Sequence, residues 1–217
     1  MVLVQKTEMK INEIFYSIQG EGKEAGLPTI FIRTTGCNLR CLFCDTKYAY
    51  EDGEELAIDQ IVEKIKKYKC KNICITGGEP LIQKDLMELV DNLLKRDYNI
   101  LIETNGSISL KQITNKKNLS ISCDVKCPSS RMHEKNCFGN IKILDKKDQL
   151  KFVISNKKDY DYAKKIIQKH SPRCMVFFQP NWKKDPKKLA DWILTDNLDV
   201  KLSLQIHKII WGDVRGR

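Results

Sequence analysis

Three cysteines fall within eight residues, in the run Cys37-Asn38-Leu39-Arg40-Cys41-Leu42-Phe43-Cys44. Thiolates are soft ligands, and three so close together point to zinc or to an iron–sulfur cluster. A closed zinc site takes four ligands, commonly as two well-separated pairs, and no second Cys-x2-Cys occurs in the chain. A four-iron cluster usually takes one thiolate per iron, so a triplet leaves one iron open to a small molecule. Cys37, Cys41 and Cys44 are therefore candidate cluster ligands. The chain has nine cysteines in all, an odd number that excludes complete internal pairing. Cys123, Cys127 and Cys137 form a looser group that suits either packing or a second metal site, and Cys70, Cys74 and Cys174 read as small buried apolar residues.

Other polar groups sit where short apolar runs end. Thr76-Gly77-Gly78-Glu79-Pro80 separates an apolar run from a helical pattern, and its glycines let backbone approach a ligand; an ordinary turn is the plain alternative. Glu103-Thr104-Asn105-Gly106, Asp124-Val125-Lys126 and Gln179-Pro180-Asn181 end later runs in the same way. Upstream of the cysteines stands Ser17-Ile18-Gln19-Gly20-Glu21-Gly22, followed by Arg33. Gln19 both donates and accepts, Glu21 accepts, and Arg33 offers a fork for a carboxylate, a set suited to a flat, amide-rich heterocycle. A glycine-rich hairpin is the competing reading. Near the C-terminus, Gln205-Ile206-His207-Lys208 places a histidine at the expected end of a strand.

These groups need a scaffold that gathers strand ends. Apolar, β-branched runs at Thr29 to Arg33, Asn72 to Thr76, Asn99 to Glu103, Leu119 to Asp124, Gln149 to Ile154, Met175 to Gln179 and Val200 to Gln205 predict strands. Helical spacing runs from Ile58 to Tyr68 and from Leu86 to Leu94, a third helix includes Ala163 and Ile167, and a fourth starts at Asp185-Pro186. Alternating strands and helices predict an α/β fold with a parallel sheet. Four helices are too few for a complete eight-fold barrel, so a partial or modified (β/α) barrel is expected, its site at the strand C-termini. An open doubly wound sheet is the competing architecture. The 217 residues, 41% hydrophobic and 30% charged, suffice for one core and argue against disorder. The opening MVLVQKTEMK has too short an apolar run for a signal peptide, and no stretch reaches the roughly 18 apolar residues of a membrane helix, so a cytoplasmic protein is expected. The net charge of +10 comes from scattered lysine pairs. A solvated face is the expected reading, and a metal-stabilised nucleic-acid-binding module is the competing one.

Cys-x3-Cys-x2-Cys with Phe43 before its last cysteine resembles the signature of radical S-adenosylmethionine (SAM) enzymes, and Gly77 to Pro80 resembles their GGEP turn. Within that superfamily, Ser17 to Gly22, Cys44-Asp45-Thr46 and Gln205 to Lys208 are similar to the S-x-Q-G-E-G, C-D-T and Q-x-H-K motifs of the 7-carboxy-7-deazaguanine synthase family. Other radical SAM enzymes, such as glycyl-radical activases, share only the cluster and GGEP patterns. The resemblance covers nearly the full chain and implies one radical SAM domain over 1–217, with a substrate-binding segment at 11–28 and a C-terminal extension at 206–217. It implies a 4Fe-4S cluster and SAM, whose reduction yields a 5′-deoxyadenosyl radical, with the chemistry belonging to the cofactor. It implies conversion of 6-carboxy-5,6,7,8-tetrahydropterin to 7-carboxy-7-deazaguanine, by hydrogen abstraction and ring contraction with loss of ammonia, for archaeosine or queuosine in tRNA. By the same resemblance Phe43, Cys44, Asp45, Gly77, Gly78, Glu79, Asp124, Val125, Lys126, Gln179, Pro180, Asn181 and Trp182 bind SAM. Ile18, Gln19, Gly20, Glu21, Arg33, Thr76 and His207 bind the pterin, and Thr46 binds Mg2+. Helix capping by Thr46 is the competing reading. An external one-electron reductant and a homodimer are the further partners it implies. Members often end in the substrate pocket, whereas here Ile209 to Arg217 runs on as IIWGDVRGR.

Overall fold

The computed structural model describes residues 8–113, 116–182 and 184–217; the opening apolar run lies outside these. The first two strands, β1 (Glu8–Ile18) and β2 (Pro28–Thr34), pair antiparallel across a glycine-rich turn, so the hairpin reading of this stretch is correct as to its backbone. Gly22 and Gly26 adopt φ of +72° and +93° there, a region that glycine enters without steric cost. A short β3 (Glu54–Ala57) covers the other edge of β1, also antiparallel. From β2 onward every neighbour is parallel, through β4 (Asn72–Gly77), β5 (Asn99–Thr104), β6 (Leu119–Asp124), β7 (Gln149–Ile154), β8 (Met175–Pro180) and β9 (Lys201–Leu202). The order β3-β1-β2-β4-β5-β6-β7-β8-β9 makes one nine-stranded sheet, and no pairing joins β9 to β3 among the described residues. The fold is thus an α/β partial barrel.

Two expectations need correction. The sheet is mixed rather than wholly parallel, because β1 and β3 were not foreseen. β1 alternates charged with apolar residues, burying Met9 and Ile11 while Glu8 faces solvent, a pattern suited to an antiparallel edge region with one wet face. The strand expected over Val200 to Gln205 shrinks to Lys201–Leu202. After Ser203 donates its N–H to the Phe178 carbonyl at 2.9 Å, the chain turns into a short helix, α5 (Ile206–Trp211).

The remaining helices form where apolar side chains recur every three or four residues. In α1 (Ile58–Lys66) these are Ile58, Ile61, Val62 and Ile65, and in α2 (Leu86–Leu94) they are Leu86, Leu89, Val90 and Leu93, all buried. They pack against β1 to β5 as one core. A second core joins β6, β7 and β8 to α3 (Lys157–His170) and α4 (Pro186–Thr195), centred on Phe152, Tyr160 and Phe178. Asp185 accepts from the Lys187 N–H at 2.9 Å, with Pro186 first in the helix, as the cap signal predicts. Cys123 and Cys127 belong to this second core as packing residues, and Cys174 joins them. Cys74 is wholly buried, whereas Cys70 is only partly so and donates to the Pro28 carbonyl at 3.2 Å.

Candidate active site

Strand side chains alternate between two faces, and helices cover only one of them. The other face lines the barrel lumen. Toward their C-terminal ends the parallel strands turn polar on that face: Arg33 from β2, Thr76 from β4, Glu103 from β5, Asp124 from β6, Lys151 from β7 and Gln179 from β8 all border cavities at the barrel mouth. Below them, Phe31, Cys74 and Leu101 form a small apolar plug. Parallel pairing sets Arg33 opposite Thr76 and Asp124 opposite Lys151, so register alone brings these residues together.

Three cavities open at this end. One, of about 160 Å³, is bordered by Cys37, Cys41 and Cys44 together with Gly77, Gly78, Asn105, Asp124 and Lys126. The three thiols are free. Gly78 permits their placement, because a Cβ there would lie 2.0 Å from the Gly36 carbonyl oxygen and 2.9 Å from Cys37 Cβ. The Gly78 N–H donates to the Thr34 carbonyl at 3.2 Å and that of Glu79 to the Gly36 carbonyl at 2.8 Å, so the GGEP turn clamps the start of the cysteine loop. Burial pushes the Cys37 and Cys41 thiols up, while the Lys126 ammonium opposes that shift at both. Three thiols around one cavity, with no fourth on its wall, fit a cluster with one open iron.

The second cavity, about 170 Å³, collects Ile18, Gln19, Gly20, Glu21, Arg33, Thr76 and His207 from segments far apart in sequence. Thr46, Asp45, Glu103, Lys151 and Arg217 share its wall. Gln19 donates to Glu103 at 3.2 Å and Thr76 donates to the other Glu103 oxygen at 2.9 Å. Arg33 is held through Nε by Glu13 at 2.7 Å, which leaves the terminal nitrogens of its fork for a ligand. His207 does not end a strand as expected. It lies in the first turn of α5, and its ring closes on Gly20 so tightly that a Cβ there would sit 1.8 Å from Nδ1. Burial holds its pKa below the usual histidine value. Thr46 precedes a short 3-10 turn without capping it; its hydroxyl instead donates to Asp45 at 2.9 Å, which sets two side-chain oxygens side by side.

The third and largest cavity, about 610 Å³, runs from Phe43, Cys44 and Asp45 past Asp124 and Lys126 to Gln179, Pro180, Asn181 and Trp182. Gln179 is 3% exposed, and its side-chain oxygen has no partner among the described residues. An orphaned buried acceptor facing a cavity is what an adenosine-bearing cofactor would satisfy.

Two expected contacts are otherwise engaged. The Glu79 carboxylate is wholly buried and accepts from Thr104 Oγ1 at 2.7 Å, the Asn105 N–H at 2.6 Å and the Leu81 N–H at 3.1 Å, so it fastens the β5 loop and borders none of the three cavities. Val125 turns into the second core and reaches outward only through its backbone, because the strand alternation that points Asp124 inward points its neighbour away. Sequence reasoning gave Lys151 and Lys208 no role. Lys151 bridges Glu21 at 2.6 Å and Asp124 at 3.3 Å. Lys208 pairs with Asp45, while Gln205 donates to Glu21 at 2.7 Å. The Q-x-H-K motif therefore ties the other two motifs to each other, one residue apiece. Their co-occurrence was the available signal.

A model of the radical SAM superfamily matches residues 31–169. A 7-carboxy-7-deazaguanine synthase from Thermoplasma acidophilum is 41% identical over 96% of this chain and 100% of its own length. The chain belongs to the 7-carboxy-7-deazaguanine synthase family of radical SAM enzymes. Another member of the 7-carboxy-7-deazaguanine synthase family, from Clostridium acetobutylicum, is 42% identical over 94% of this chain and 96% of its own. The crystal structure of QueE from Escherichia coli superposes with a TM-score of 0.76 at 26% identity, covering 92% of this chain and 95% of that one. The fold also resembles that of Streptococcus suis SuiB, with a TM-score of 0.60 at 12% identity. Radical SAM membership brings with it a 4Fe-4S cluster and SAM, for which the cysteine cavity and the large cavity supply suitable walls.

Proposed function

We propose that the chain converts 6-carboxy-5,6,7,8-tetrahydropterin to 7-carboxy-7-deazaguanine with loss of ammonia. The observation that carries this reading is the second cavity: seven residues assigned to a pterin from sequence motifs border one space, which shares Asp45, Thr46, Thr76, Gly77, Glu103 and Lys151 with the cysteine cavity. Cys37, Cys41 and Cys44 hold the cluster, and SAM lies along Phe43, Lys126 and Gln179 to Trp182. When bound, these groups supply the hydrogen-abstracting radical.

The protein's own residues bind and orient. Glu21, Glu103 and Gln19 read the donor and acceptor edge of the pterin, Arg33 takes its carboxylate, and His207 closes the pocket over Gly20. Thr46 and Asp45 offer oxygen ligands to Mg2+, which favours oxygen and keeps several waters, so the substrate carboxylate completes the set. Glu79 acts on SAM only through the loop it fastens. The whole chain forms one catalytic domain, with 11–28 binding substrate and 206–217 bracing the mouth. Nine free cysteines favour a reducing cytoplasm, and the exposed Leu204, Ile209, Ile210 and Val214 favour a homodimer. An external carrier supplies the electron.

Anaerobic reconstitution tests the reading. About four irons per chain are expected, with Cys41→Ser losing cluster and turnover. Failure of the reconstituted protein to form the ring-contracted product from carboxypterin, SAM, reductant and Mg2+ refutes it.

A further inference from the structure

Among the described residues only Asp45 and Lys151 border all three cavities, and of these two Lys151 is buried, its side chain 11% exposed. Its ammonium stands between two carboxylates. Glu21, 2.6 Å away, walls the second cavity and the large one, and Asp124, 3.3 Å away, walls the cysteine cavity and the large one, so of the two only Glu21 reaches the second cavity. Asp124 in turn holds Lys126 at 2.6 Å. Glu21, Lys151, Asp124 and Lys126 form a row of alternating charges, none with a side chain more than 17% exposed. Burial disfavours each charge, yet the mutual attraction keeps the Glu21 and Asp124 carboxylates below their usual range. Charges so placed are little screened by solvent, and a change at one end of the row is felt at the other.

We propose that Lys151 is a positioning residue that couples the substrate pocket to the SAM pocket, so that each ligand tightens binding of the other. The inference rests on the function proposed above. A pterin whose N–H groups donate to Glu21 replaces part of the Lys151 contact. The ammonium then shifts its weight toward Asp124, and the charge that Asp124 and Lys126 present to the SAM side is reset. Coupling of this kind is reciprocal, and the expected magnitude is about tenfold. Its consequence is order: the reactive cofactor is held firmly only when a substrate is present to consume the radical.

The test is anaerobic calorimetry of SAM binding to the reconstituted full chain, with and without saturating carboxypterin and Mg2+. In the unaltered protein the pterin is expected to lower the SAM Kd about tenfold, and SAM the pterin Kd by the same factor. In Lys151→Met that ratio is expected to fall to within about twofold of unity. Removing one charge also leaves Glu21 unpaired, so Glu21→Gln with Lys151→Met is the companion variant: it deletes one charge of each sign and keeps the Asp124–Lys126 pair. Lys151→Arg is expected to restore part of the coupling. A purely structural lysine would weaken both affinities and leave their ratio unchanged; an unchanged ratio in either folded Met variant overturns the proposal, as does a ratio of one in the unaltered protein. Binding of SAM but of no pterin by the unaltered protein overturns the functional reading itself.

Discussion

Single atoms decide much of this site. Gly78→Ala puts a methyl against the Gly36 carbonyl and Cys37 Cβ, both parts of the cysteine loop. The expected outcome is a folded protein with less than about half of the roughly four irons a cluster requires, checked by iron and sulfide analysis after reconstitution. Glu13 makes a second case. Burial would raise its pKa, but Arg33 foremost, then Arg215 and Tyr48, bring it below the ordinary 4.5. A lowered carboxylate contributes stability that is complete above about pH 4.5 and is lost as the pH falls through the folded value. Glu13→Gln is therefore expected to cost about 1–3 kcal/mol at pH 7 and markedly less near pH 3.5, measured by urea unfolding at the two pH values.

At the scale of elements, the turn after β4 and the loop after β5 act as one unit because Glu79 joins them. Glu79→Ala leaves the Leu81 and Asn105 N–H groups and the Thr104 hydroxyl without their acceptor in a buried place. A loss of about 3 kcal/mol is expected, with Glu79→Gln restoring part of it, as read from thermal unfolding. A residue whose only task was to touch SAM would leave the stability of the unliganded protein unchanged. Helix α5 works similarly between the hairpin turn and the cysteine loop, since Gln205 and Lys208 reach Glu21 and Asp45. That explains why the chain leaves the sheet at Leu202: a longer β9 would carry Gln205 to Lys208 along the sheet and away from both partners.

Across the whole molecule, two apolar cores hold the two halves of one sheet, and the polar lumen between the strands is left to function. The second core depends on Phe178, which is wholly buried between Phe152 and Tyr160 at ring separations of 5.5 and 5.7 Å. Phe178→Ala is expected to cost about 3–5 kcal/mol in urea unfolding and to weaken SAM binding through Gln179, its neighbour on the lumen side of β8. Substrate affinity, set mainly by the other half of the sheet, should change less. No helix of the described residues is long and apolar enough to cross a membrane.

Local chemistry was legible in the residues themselves. A cysteine triplet, a glycine turn and repeating apolar spacing depend on neighbours a few positions apart, so they announce the cluster loop, the four longer helices and the seven parallel strands, the last of them too long, without a fold. Where a strand alternated charged with apolar residues instead of running apolar, as in β1, or where the chain needed a distant partner, as at Gln205, apolar runs alone missed the element or misplaced its end. What each polar side chain faces was decided only in three dimensions. The Glu79 side chain fastens a loop and that of Val125 joins a core, placements the motifs did not announce, and Lys151, an unremarked residue of an apolar run, joins Glu21 to Asp124. These outcomes follow from sheet register and barrel curvature, which set residues more than a hundred positions apart within hydrogen-bonding distance, an arrangement that no short window of sequence contains.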